Sequence, residues 1–294
     1  MKRAWLAAAA ALILIGAAPK GPEILTGDVD LFYRVYDAAG GKPTADALQR
    51  DYIEAGTPGV REFTPNRIIS GERLALRIAE KPEVYAKARA CAGVLPRVKA
   101  RLRPAFRKLA RLYPEARFPP VTILIGRNNS GGTAGPSGVL IGLEVVCATV
   151  PPGESLEDRF VHLIAHEYGH VEQRPEASDP TVLRQGLTEG TAELVAELTT
   201  GQISNAHLIA WNRGKERQVG EAFLRDAASK DLKPWLYNGV GAPEQPGDQG
   251  YWVGWRVARA YYRRAKDKRA AIKTLLELEH PEVVLRESGW KPGA

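Results

Sequence analysis

The sequence predicts an α+β chain, mainly α, with a small β-hairpin or sheet beside two metal-binding helices. Three observations predict it. Residues 156–173 repeat apolar Phe160, Leu163, Ile164 and Val171 at helical spacing around His166-Glu167-Tyr168-Gly169-His170. A second helical stretch, from about residue 187 to Thr200, carries Leu187-Thr188-Glu189-Gly190-Thr191-Ala192-Glu193. Ahead of both lie two short β-rich runs, 121–126 and 139–146, around a glycine-rich segment. With 294 residues, 44% hydrophobic and 26% charged, the chain is long enough for a sizeable core.

Taken in order, residues 1–18 hold Lys2 and Arg3, an apolar run over 4–15, then Gly16-Ala17-Ala18. That is the layout of a secretory signal, and the run falls short of the roughly 20 residues a membrane span needs. Pro19 is a poor neighbour for cleavage, so an uncleaved anchor is the second expectation. Localisation is accordingly expected to be exported, periplasmic or secreted. The net charge of +7 falls to +5 without Lys2 and Arg3, a modest excess that suits a soluble surface better than a nucleic-acid partner.

Helices are expected over 28–39, 44–55, 68–79 and 82–92. The first has a capping Asp28, the second stops at Gly56, and the fourth has Pro in its first turn. Residues 96–113 form an amphipathic basic helix with Pro104 inside it, read as a solvated face because no aromatic residues interleave with its charges. The β-rich runs read as a hairpin with a long tip, closed by Pro151-Pro152-Gly153. Further helices are expected over 215–228, 251–265 and 269–278, with a proline- and glycine-rich loop at 233–250 and a tail from Pro281 that is loosely structured or packs back. Cys91 and Cys147 can form one disulfide in an oxidising compartment, and two buried free thiols are the equal alternative.

His166 and His170, four apart, face one side of their helix and can offer two imidazoles to one Zn²⁺. Glu167 flanks that face, where a carboxylate can take a proton from zinc-bound water. Eighteen residues beyond His170, Glu189 can supply a third ligand, and Glu193, one turn further, can orient an imidazole from behind. His162 reads as a hydrogen-bonded core residue, and Glu172, Glu176, His207 and His280 as solvated.

HEYGH followed by TEGTAE resembles the glutamate-zincin (gluzincin) metallopeptidases. It is closer still to uncharacterised bacterial families of exported zinc-dependent proteases that carry HEYxH, EGxAE and a later Gly-Tyr-x-x-Gly, here Gly250 to Gly254. The resemblance implies a zincin-like domain and zinc-dependent peptide hydrolysis, with an edge strand beside extended substrate. It offers Tyr251, with Arg256 next in line, as the oxyanion donor; packing of Tyr251 with Trp252 and Trp255 competes with that role. No element for a substrate amino terminus is present, so aminopeptidase specificity is not carried over. The expected divisions are 1–18, a helical region at 19–118 and a catalytic region at 119–294, with one continuous domain over 19–294 as the alternative. Expected partners are peptide or protein substrates, no nucleic acid, and a membrane only through an uncleaved leader. The alternative is an envelope binding or scaffold protein with a structural zinc.

Overall fold

The computed structural model describes residues 22–150, 153–175 and 178–293. Expectations for residues 1–18, Pro151-Pro152 and Glu176 lie outside these. Ile24–Leu25 (β1) leads into α1 (Gly27–Ala38). Next come α2 (Ala45–Leu48), continued by π-turns over Gln49–Glu54, and α3 (Pro58–Phe63), continued over Thr64–Ile68. Then follow α4 (Gly71–Glu80), α5 (Pro82–Cys91) and α6 (Leu95–Leu112). Side-chain oxygens of Thr44, Thr57 and Ser70 accept the first free amides of α2, α3 and α4. The sequence reading did not include α3, although Thr57-Pro58 is a cap followed by Pro in the first turn. α4 starts three residues later than expected, because Ile69 takes φ +74° and Ser70 is the cap.

The sheet comes next: Val121–Leu124 (β2), Gly132–Gly135 (β3) and Gly138–Gly142 (β4), in the order β1-β2-β4-β3. β1, β2 and β4 are parallel, with Val121 opposite Val139 and Leu124 opposite Gly142. All residues of β2 and β4 are buried, as parallel strands covered on both faces require. The expected hairpin is therefore corrected. The two β-rich runs are parallel neighbours, and the partner that folds back on β4 is the glycine-rich segment itself, as the antiparallel edge strand β3. Gly138 turns the chain at φ +108°, where a Cβ would meet Pro120 O at 2.2 Å. The second run also ends earlier than expected: Leu143–Ala148 is helix α7, a distinction that a short apolar run does not reveal.

The remaining helices are α8 (Leu156–Glu172), α9 (Val182–Thr200), α10 (His207–Trp211) and α11 (Glu216–Asp226). After the short strands β5 (Gly241–Ala242) and β6 (Gln245–Pro246) come α12 (Gln249–Arg264), α13 (Lys268–Glu277) and α14 (Pro281–Ser288). Ser155 caps α8, and Thr181 caps α9 well ahead of the expected start. The tail is ordered as α14, which packs on α9 and α12. Small residues let three helices approach closely. A Cβ on Gly169 of α8 would stand 2.6 Å from Ala192 Cα, and one on Gly190 of α9 would stand 2.0 Å from the Gly254 carbonyl carbon of α12.

A continuous apolar core runs from Phe32 and Tyr52 through Leu102 and Ile141 to Ile164, Leu187 and Val257. Hydroxyls of Tyr52 and Tyr85 donate to the carbonyls of Ile125 and Gly126, tying the N-terminal helices to the end of β2. Cys91 and Cys147 are joined, linking the end of α5 to α7 with Cα atoms 6.0 Å apart. The basic face of α6 is exposed, as expected, and part of it is also paired: Arg97 meets Glu157, and Arg101 reaches Asp158 at 2.5 Å, both acids in the first turn of α8. Among the described residues no helix is long and apolar enough to cross a membrane.

Candidate metal centre

α8 and α9 pack side by side at Gly169 and Ala192, which brings the histidines of one helix against the glutamates of the other. His170 Nε2 lies 3.1 Å from His166 Nε2 and 3.1 Å from Glu189 Oε2, and His166 Nε2 lies 3.4 Å from that same oxygen. Ligand atoms held about 2.0–2.1 Å from a tetrahedral zinc stand roughly 3.3–3.4 Å from one another. The three donors thus already have nearly the mutual spacing of three zinc ligands. His166, His170 and Glu189 form one compact group of potential metal donors. The donor set of two imidazoles and a carboxylate fits Zn²⁺ and leaves a fourth position for water or substrate.

His170 and Glu189 are hydrogen-bonded from behind, and a buried carboxylate stands behind His166. His170 Nδ1 is 2.7 Å from Gln173 Oε1, and Gln173 Nε2 donates to Thr188 O at 2.7 Å, which locks the side-chain amide. Because Gln173 Oε1 can only accept, it would hold the proton of a neutral His170 on Nδ1 and leave the Nε2 lone pair for a metal. Glu193, fully buried, accepts from Ser204 N and Oγ and from Asn205 Nδ2, and its Oε1 stands 3.5 Å from His166 Nδ1. Tyr237 donates to Glu189 Oε1 at 2.7 Å, leaving Oε2 for the metal side, and Gln185 Nε2 donates to the Tyr237 oxygen. Sequence reasoning found Glu193 but missed Gln173 and Tyr237. Gln173 sits three residues beyond His170, a spacing that could have found it. Tyr237 comes from the 233–250 loop, and no local pattern points to it.

The charges explain why the cluster wants a cation. Burial alone would lower the pKa of His170, but the Glu189 carboxylate outweighs it and raises His170 to about 10. Burial pushes Glu189 up, yet His170 and His166 overcome that and hold its carboxyl well below the usual range. Without a metal, a proton neutralises the carboxylate; a divalent ion would take its place.

Glu167 is buried, 6% exposed, and burial raises its pKa, against the pull of the two histidines. The edge strand β3 passes directly over it: a Cβ on Gly132 would sit 2.5 Å from Glu167 Oε1, so only glycine allows this approach. Tyr251, in the first turn of α12, lies against the cluster with its ring stacked on His166, centroids 6.0 Å apart, and edge-on to Tyr237 at 6.3 Å. Burial, then Glu189, raises its hydroxyl well above 10 and keeps it a proton donor. Arg256 is not brought to the cluster; its guanidinium lies 5.2 Å over Trp252 and faces a separate cavity. His162 hydrogen-bonds Glu154 at 2.8 Å, and His280 is exposed. Two residues read as solvated are buried. Glu172 accepts Arg117 N at 2.8 Å and is raised to about 7 by burial. His207 packs on Trp211 and is lowered to about 4 by burial and then Arg159.

One family model matches the chain, over residues 102–284, more than half its length; the family is described as a predicted Zn-dependent protease (DUF2268). No curated protein and no solved structure matches.

Proposed function

We propose, for a chain that belongs to the predicted Zn-dependent protease family (DUF2268), zinc-dependent peptide-bond hydrolysis of gluzincin type in the cell envelope. The observation that carries the proposal is the convergence of His166 Nε2, His170 Nε2 and Glu189 Oε2 within 3.1–3.4 Å, with the Glu167 carboxylate on the adjoining turn. Zinc at these donors would polarise a substrate carbonyl and acidify the water that attacks it. The chain's own residues then do the proton work. Glu167 accepts the water's proton, a task suited to a carboxyl whose pKa burial has raised, and returns it to the leaving amine. Tyr251 donates to the oxygen that becomes negative as the carbonyl is attacked, and adds no charge of its own. The outer edge of β3, above Glu167, offers backbone amides and carbonyls to an extended peptide.

Export is supported by the signal-like residues 1–18 and by the Cys91–Cys147 bridge, which suits an oxidising compartment. The scaffold reading fits less well. Structural zinc sites usually close with four protein ligands, and three donors converge here among the described residues. Incubating the zinc-loaded protein with a peptide library, with and without a chelator, tests the proposal. Cleavage that stops on chelation and returns with zinc is expected. Tight stoichiometric zinc with no cleavage of any peptide would favour the scaffold.

A further inference from the structure

On a different side of α12 from Tyr251, the chain encloses a cavity of about 440 Å³ between α12, the α10–α11 connection and the C-terminal segment. That volume is typical of small-molecule sites, and none of the metal ligands lines it. Trp252 and Trp255, 2% and 6% exposed, form an apolar wall. Four arginines line the cavity against one carboxylate, Glu216. Arg259 is neutralised, since Glu197 pairs with it at 2.9 Å and also accepts the Trp255 indole N–H. Arg213, Arg256 and Arg263 make no ion pair within 4 Å among the described residues. Arg256 is only half-exposed, and its desolvation is opposed by nothing closer than the field of Glu216. Arg256 and Arg263 are seven residues apart, two turns along one side of the helix.

A cavity with aromatic walls and excess guanidinium has the character of a receptor: the half-buried Arg256 guanidinium has lost part of its hydration beside apolar surface, and an anion would replace it, while the exposed Arg213 and Arg263 stand at the rim to complete its pairing. We propose that it binds an anionic amphiphile: a carboxylate or phosphate head held by Arg213, Arg256 and Arg263, with an apolar body laid on Trp252 and Trp255. Aliphatic or aromatic stacking on indole supplies the second half of recognition, and planar guanidinium groups suit both oxyanions. This inference goes beyond the protease reading and stands independently of it.

Octanoate, octyl phosphate, 1-octanol and inorganic phosphate, each titrated into the zinc-loaded full chain by calorimetry and tryptophan fluorescence, test it. At least one octyl anion should bind roughly tenfold or more tightly than octanol and than phosphate alone, since losing a charged hydrogen bond costs about that factor. The better of the two anions identifies the head group. R213E/R263E, at two exposed positions, should weaken that anion roughly tenfold or more while zinc content and melting temperature stay unchanged. R256Q should weaken it in the same direction. Octanol binding as tightly as the anions, phosphate alone binding as tightly as octyl phosphate, undiminished binding in R213E/R263E, or no binding of either octyl anion would each overturn the proposal.

Discussion

The hydroxyl of Tyr237 donates to Glu189 Oε1 at 2.7 Å, while Oε2 of the same carboxylate faces both imidazoles. One oxygen is clamped so that the other is aimed. Tyr237→Phe removes only the clamp. Zinc affinity, measured by competition with a chromogenic chelator, should fall about 10- to 100-fold, as loss of a ligand's supporting hydrogen bond does. Unchanged affinity would show that the Tyr237 hydrogen bond does not help Glu189 bind.

Glu167→Gln separates binding from chemistry. It leaves His166, His170 and Glu189 in place and replaces the base with an amide of the same shape. Zinc should stay stoichiometric, and peptide cleavage should drop by roughly 10²- to 10⁴-fold. Full activity in this variant would rule Glu167 out as the base.

Glu189 and Glu193 should fail differently. Glu189→Ala should abolish tight zinc binding, and it should also destabilise the zinc-free protein, because buried His170 loses its carboxylate and Tyr237 its acceptor. Glu193→Ala should reduce zinc affinity about 10- to 100-fold through His166. It should also lower the stability of the zinc-free protein by about 1–3 kcal/mol, because buried donors of Ser204 and Asn205 lose their acceptor. The reverse pattern of severities would exchange their roles.

Tyr251→Phe keeps the ring that stacks on His166 and deletes the hydroxyl. An oxyanion donor should lose about 10²- to 10³-fold in kcat with zinc content unchanged. A tyrosine that only packs should lose about 1 kcal/mol of stability and retain its turnover.

Glu144 gives a pH dependence away from the metal. Fully buried, it accepts the amides of Gly126 and Asn128 at 3.0 Å each, and burial outweighs them to raise its pKa to about 7. A carboxyl raised in the folded state binds a proton that the unfolded chain releases near pH 4.3. Its contribution to stability is therefore full below about pH 4.3 and is lost as pH rises through about 7. In Glu144→Gln, the fall of unfolding free energy between pH 5 and 7 should become shallower by up to about 1.4 kcal/mol per pH unit. Glu172, raised to about 7, and Asp248, raised to about 6, keep part of the slope with the same sign. Denaturant titrations of both proteins across this range measure the difference, and parallel curves would refute the assignment.

Local spacing made the metal helices legible. A helix places residues i and i+4 on one face whatever surrounds it, so His166 and His170 could be paired from the sequence alone. The cap at Thr44 and the first-turn proline at Pro82 were equally readable, since a first-turn amide needs an acceptor within a few residues and a proline there has no amide to satisfy. Strand pairing was not. Thirteen residues, 125–137, separate β2 from β4; whether the two pair in parallel or as a hairpin depends on whether β3 folds back on the outer edge of β4, and glycine-rich β3 carries no alternating pattern to announce it.

By itself, then, the sequence determined the types of candidate donor, their helical spacing and the carboxylate beside them, because these are short-range consequences of backbone geometry. The tertiary structure alone decided what stands behind and above them. Packing of Gly169 on Ala192 sets the distance from the imidazoles to Glu189, and the fold of the 233–250 loop delivers Tyr237. Gly132 carries β3 over Glu167, and α12 turns Tyr251 toward His166 while it turns Arg256 away into the tryptophan-lined cavity. Such contacts join residues far apart in the chain, and they depend on the close approach of whole helices and strands, which no local pattern encodes.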